Sequence, residues 1–150
     1  MKLEEQEQDN RKNEAQEGEE NIPERKRKMC ADALGKLQRE PCEDNLWECI
    51  VAFEGYPFHT ASGLPFVYAL KTGRNGLPTR ELWINRRAQS KSLAWGSIRL
   101  AYRKARELEG EEVERPKALG DIRGISYIYP LLWKFGLIRV PEKVREKMQP

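Results

Sequence analysis

The chain has no long hydrophobic run, one histidine, three cysteines and no internal repeat, and each shortage removes a class of protein. Nothing approaches the roughly 18 to 20 apolar residues of a membrane span. The opening residues, MKLEEQEQDN, lack the cationic start and apolar stretch of a secretory signal. These absences predict a cytoplasmic protein with no membrane partner. Cys30, Cys42 and Cys49 are odd in number and not spaced like a disulfide framework, so reduced thiols are expected. With His59 they make four zinc-capable side chains, but there is no CxxC knuckle, and Cys49 falls in a helical stretch where a small core residue is the commoner role. No serine nucleophile motif, phosphate loop or HExxH pattern accompanies the histidine. The expectation is a protein that is not an enzyme and needs no metal or cofactor.

Acidic residues are also missing from one long segment. Between Lys71 and Arg106 stand ten Lys and Arg residues and a single carboxylate, Glu81. The whole chain has 27 basic and 24 acidic residues, so this segment carries +9 and the remainder −6. A solvated helix face ordinarily mixes both signs in i,i+4 pairs. Segregation of one sign on ordered elements is the usual footprint of a surface that meets phosphates.

The chain divides into three stretches: a disordered charged tail and linker over 1–40, an α+β domain over 41–140 and a C-terminal extension over 141–150. The first residues are Glu, Gln, Asn, Lys and Arg, too polar to offset the entropy of ordering. They are acidic through Glu24 and then reverse sign at Arg25–Lys28, which allows the acidic part to fold back over the basic segment and compete with nucleic acid. After Pro41, the polar Glu43, Asp44 and Asn45 supply capping oxygens and negative charge for a helix to about Phe53, with Leu46, Trp47, Ile50 and Val51 on an apolar stripe.

Ser62-Gly63 and Gly73-Arg74-Asn75-Gly76 are turn chemistry, separating three antiparallel strands near Pro57–Thr60, Leu64–Lys71 and Thr79–Arg86. Alternation puts Leu82 and Ile84 on one face and Trp83 on the other, where it is expected near Arg80 and Arg86. A helix capped by Ser90 or Ser92 then runs to about Glu109. Its wheel gathers Ala94, Ile98, Ala101, Ala105 and Leu108 on one side and Trp95, Arg99, Arg103 and Arg106 on the other. A last helix, roughly Asp121 to Phe135, is apolar nearly all round, with Pro130 inside and Gly120 and Gly124 permitting close packing. Arg123, Tyr127 and Lys134 share its polar side. The fold class is therefore α+β: a helix, a three-stranded meander, then two helices on one sheet face.

Three segments, YPFHTASGLPFVYALK at Tyr56–Lys71, RRAQSKSLAWGSIRLAYRKA at Arg86–Ala105 and PKALGDIRGISYIYPLLWKFGLI at Pro116–Ile138, resemble a family of uncharacterised small bacterial proteins frequent in firmicute chromosomes and mobile elements. The resemblance spans about the last two thirds of the chain. It implies a DNA-linked accessory or regulatory setting and no catalytic residues.

The residues expected to bind nucleic acid, DNA more than RNA, are Arg80, Arg86, Arg87, Lys91, Arg99, Arg103 and Arg106 on phosphates, with Trp83 and Trp95 as stacking or apolar contacts. Two alternatives compete. One is a protein-interaction or inhibitor module docking on an acidic partner. The other is a metal-dependent nuclease using carboxylates such as Glu81 and Asp121.

Overall fold

Four of the strongest apolar patterns in the chain converge on one side of a single sheet. In the computed structural model, which describes residues 22–86 and 90–149, strands β1 (Phe58–His59), β2 (Pro65–Thr72), β3 (Pro78–Asn85) and β4 (Lys91–Ala94) form an antiparallel meander in the order β1-β2-β3-β4. The period of two puts Phe66, Tyr68, Leu82, Ile84 and Leu93 on the buried face. Tyr68 stands opposite Ile84, and Leu82 opposite Leu93, so cross-strand neighbours pack together. Val67, Ala69, Trp83, Asn85 and Ser92 take the opposite face, which is not sealed.

Helices cover the inner face: α1 (Glu24–Arg39), α2 (Glu43–Ala52), α3 (Trp95–Glu107), α4 (Ile125–Lys134) and α5 (Glu142–Met148), with a 3-10 turn at Pro116–Leu119. The α+β class and the three expected strands match the sequence reading. Four differences have clear physical causes. A helix replaces linker over 24–39, because Cys30, Ala33, Leu34 and Leu37 repeat at helical spacing and pack on the core within an otherwise charged stretch. The acidic segment before Ile22, including its expected fold-back, lies outside the described residues. A fourth strand occupies Lys91–Ala94, so Ser92 is a sheet residue and α3 starts at Trp95. The C-terminal extension is a helix from Glu142 with Met148 buried. Finally, α4 starts at Ile125, and Tyr127 is buried instead of lying on a polar side.

Among the described residues the buried polar side-chain atoms are paired. Tyr68 Oη donates to the Ile50 carbonyl at 2.6 Å, Tyr129 Oη donates to Val113 O, and Cys30 Sγ donates to Ala52 O at 3.3 Å. The cap of α2 is Cys42, whose sulfur accepts from Asn45 N at 3.4 Å, while buried Asn45 donates from Nδ2 to Glu40 O at 2.8 Å. Glu43 is thus released from capping and projects elsewhere.

Two predictions test this packing. Gly124 has φ 80° and a Cβ there would lie 2.4 Å from Leu93 Cδ1. We expect Gly124→Ala to cost about 2–4 kcal/mol, from left-handed strain plus overpacking, read as a lower denaturant midpoint; an unchanged midpoint would show that β4 and α4 are not in contact. Burial pushes the Cys30 thiol up and that of Cys49 up to about 12, with Cys30 and Glu48 adding to the latter. A thiol reagent near pH 8 should therefore label only Cys42 rapidly in native protein and all three cysteines after unfolding. Rapid labelling of Cys30 in native protein would mean that α1 is not docked.

Candidate nucleic-acid interface

The cations of the basic segment do not form one sheet-wide patch. Arg80 and Arg86 sit at opposite ends of β3, about 20 Å apart at the rise of an extended strand, and both share the face of Leu82 and Ile84 rather than that of Trp83. This corrects the expectation that they flank Trp83. Each finds an aromatic platform beyond the sheet instead.

At the first end, Arg80 Cζ lies 5.4 Å from the Trp47 ring centroid and 5.7 Å from that of Trp95. The two indoles meet edge to face with centroids 5.2 Å apart. Trp95 is buried by this contact, so it supports a guanidinium and offers no ring to an unpaired base. The helical wheel places it with Arg99, Arg103 and Arg106, but Trp47 and Arg80 reach over it from other elements. Arg80 has no carboxylate partner among the described residues.

One turn before Trp47 on α2 stands Glu43, and one turn after Trp95 on α3 stands Arg99. Arg99 Nε donates to Glu43 Oε2 at 3.2 Å and Arg103 Nε to Glu43 Oε1 at 3.1 Å. Both arginines remain substantially open, with side chains 39% and 58% exposed. The result is a two-part group: Arg99 and Arg103 share the Glu43 carboxylate, and one helical turn away Arg80 rests on the two indoles. Sequence reasoning missed Glu43 and Trp47 as members; the signal was their i,i+4 spacing on one helix face. Arg106 continues the α3 stripe about two turns from Arg99. It lies over Tyr102, 5.8 Å from the centroid, with Nη1 donating to Tyr102 Oη at 3.4 Å. It also lines a cleft of about 360 Å³ with Leu37, Phe135, Leu137 and Arg139.

At the other end of β3, Arg86 donates to Tyr127 Oη, and Lys91 Nζ is 6.0 Å from the centroid of the same ring. Arg87 lies outside the described residues. Trp83 stands alone on the outer sheet face, 40% exposed, with Lys71 Nζ 4.6 Å from its centroid. That lysine donates to Ser92 Oγ at 2.9 Å and pairs with Glu81 at 3.5 Å, leaving the outer face locally neutral.

Glu81 is thus an ion-pair partner, and Asp121 is exposed. Among the described residues no group of three or more His, Cys, Asp or Glu side chains is placed to hold a metal ion. His59 is half-buried in β1, and burial pushes its pKa down. No described helix is long and apolar enough to cross a membrane. No family model, curated protein or solved structure matches this chain.

If Arg80 covers the indole pair, Arg80→Ala should cost about 0.5–1 kcal/mol of stability, the scale of an exposed cation–π contact. It should also red-shift tryptophan emission and ease acrylamide quenching. Unchanged emission and quenching would mean that the guanidinium does not cover the rings.

Proposed function

We propose that this protein binds nucleic acid, DNA in preference to RNA, through the α3 face, as a small accessory or regulatory protein inside the cell. The observation that carries the reading is the cationic group at the meeting of β3, α2 and α3: Arg99 and Arg103 sharing one carboxylate, Arg80 on the adjoining indole pair, and Arg106 farther along α3. Arginine's planar fork matches the paired oxygens of a phosphodiester. An aromatic platform beneath Arg80 restrains it without consuming its in-plane donors, so less side-chain entropy is lost on binding.

The same geometry favours backbone contact over base stacking. Trp95 is buried, and Trp83 lies on the other sheet face from Arg80. Phosphate contacts of this kind position a protein on a duplex and carry no sequence information. Arg86 and Lys91 around Tyr127 offer a second, separate phosphate contact at the far end of β3. A link to mobile elements is part of this proposal and rests on the resemblance of the three segments.

A protein partner with an acidic surface is the second reading, and one observation favours it: the arginine cluster already holds a carboxylate, that of Glu43. The two readings separate by salt and by ligand. Contact with four to six phosphates gives a slope of about −3.5 to −5.5 for log affinity against log salt on duplex DNA. We expect Arg99→Ala and Arg103→Ala each to make that slope shallower by about 1 and to weaken binding alike on unrelated sequences. Fluorescence anisotropy across roughly 50 to 300 mM salt reads both quantities. Absence of binding at the lowest salt would remove the nucleic-acid reading in favour of the acidic protein partner.

A further inference from the structure

The bridge on α3 has an unusual stoichiometry: one carboxylate serves two guanidiniums, each through Nε, with one carboxylate oxygen to each. Glu43 therefore occupies a seat shaped for two anionic oxygens between Arg99 and Arg103. A backbone phosphate presents the same pair of oxygens, and it forms the same kind of charge-assisted bonds.

We propose that Glu43 is an internal competitor for phosphate in the Arg99–Arg103 pair, so that binding exchanges the Glu43 carboxylate for a phosphate of the nucleic acid. This rests on the nucleic-acid reading above and names how its site is restrained. Three features support the exchange. Glu43 is not needed as the cap of α2, a task that Cys42 performs. The bridge is solvent-accessible, with Glu43 32% exposed, and open ion pairs of this kind are weak. Two guanidiniums share one carboxylate, so the Arg99–Arg103 pair stays cationic even with Glu43 in place.

The exchange has a signature that a structural role for Glu43 lacks. The internal ion pair competes most strongly at low salt and is screened as salt rises, so it lowers affinity most where counterion release favours binding most. The native protein then shows a shallower salt slope than its phosphate contacts alone would give. Removing the carboxylate steepens the slope and tightens binding together.

The test is Glu43→Gln, compared with the native chain by anisotropy on one labelled duplex DNA across about 50 to 300 mM salt. The control is Glu142→Gln, which makes the same charge change at the ion pair with Arg145 on α5. We expect Glu43→Gln to bind about 3- to 10-fold tighter at the low-salt end, with the gain shrinking as salt rises and the slope therefore steeper, and the control to stay within about twofold of native. Native binding that is steeply salt-dependent, with Glu43→Gln equal or weaker, overturns the competitor and leaves the nucleic-acid reading standing; Glu43 then orients the arginines. Equal gains in both variants reduce the effect to net charge and also overturn it. Binding by none of the three proteins overturns the proposal together with the reading it rests on.

Discussion

The edge-to-face contact of Trp47 with Trp95 is the constraint on which the rest of the cationic face depends. It joins α2 to the start of α3 and lies under Arg80 from β3, so three elements meet at one point. From that contact, one helical turn back along α2 reaches Glu43 and one turn forward along α3 reaches Arg99. The ion-pair cluster follows from this registration. Without the indole contact the same arginines would be isolated side chains on a solvated helix, individually worth little to any ligand.

A second consequence concerns which aromatic groups remain available. A sheet with one covered face leaves the other open, and here the open face carries Trp83 among small and polar neighbours, with its adjacent lysine already paired. The arginines instead gather where aromatic rings are spent on packing. Cation–π contacts recur at four of the cationic positions, Arg80 on two indoles, Arg86 and Lys91 on Tyr127, and Arg106 on Tyr102, while Arg99 and Arg103 are held by Glu43. The rings act as supports that hold charged side chains toward solvent, which suits recognition of a charged backbone better than recognition of unpaired bases.

The meander was legible in the sequence because two local signals agreed. Turn residues at Ser62-Gly63 and Asn75-Gly76 bracket runs with period two, and β2 and β3 fall within a residue of the expected bounds. Of the apolar arc expected on α3, Ile98, Ala101 and Ala105 are buried and Leu108 partly so, while Ala94 ends β4 and is exposed. Helix α1 was hidden by composition: its stripe of Cys30, Ala33, Leu34 and Leu37 is regular but is outweighed by charge in any average over the N-terminal region. Strand β4 was hidden by brevity, four residues in which serine reads equally well as a helix cap. Trp95 and Glu43 show a different limit. Their places on their own helices were readable, but their roles depend on Trp47, Arg80 and the two arginines, contacts that no local pattern encodes.

If the proposed reading is right, Arg80, Arg99 and Arg103 act as one phosphate-binding unit. The most direct test follows the arginine Nε–Hε resonances by NMR while duplex DNA is added at low salt. Concerted shifts of Arg80, Arg99 and Arg103, with the Trp83 indole resonance unmoved, are expected of such a unit. Shifts confined to Trp83 and the outer sheet face, or no shift at the three arginines, would contradict it.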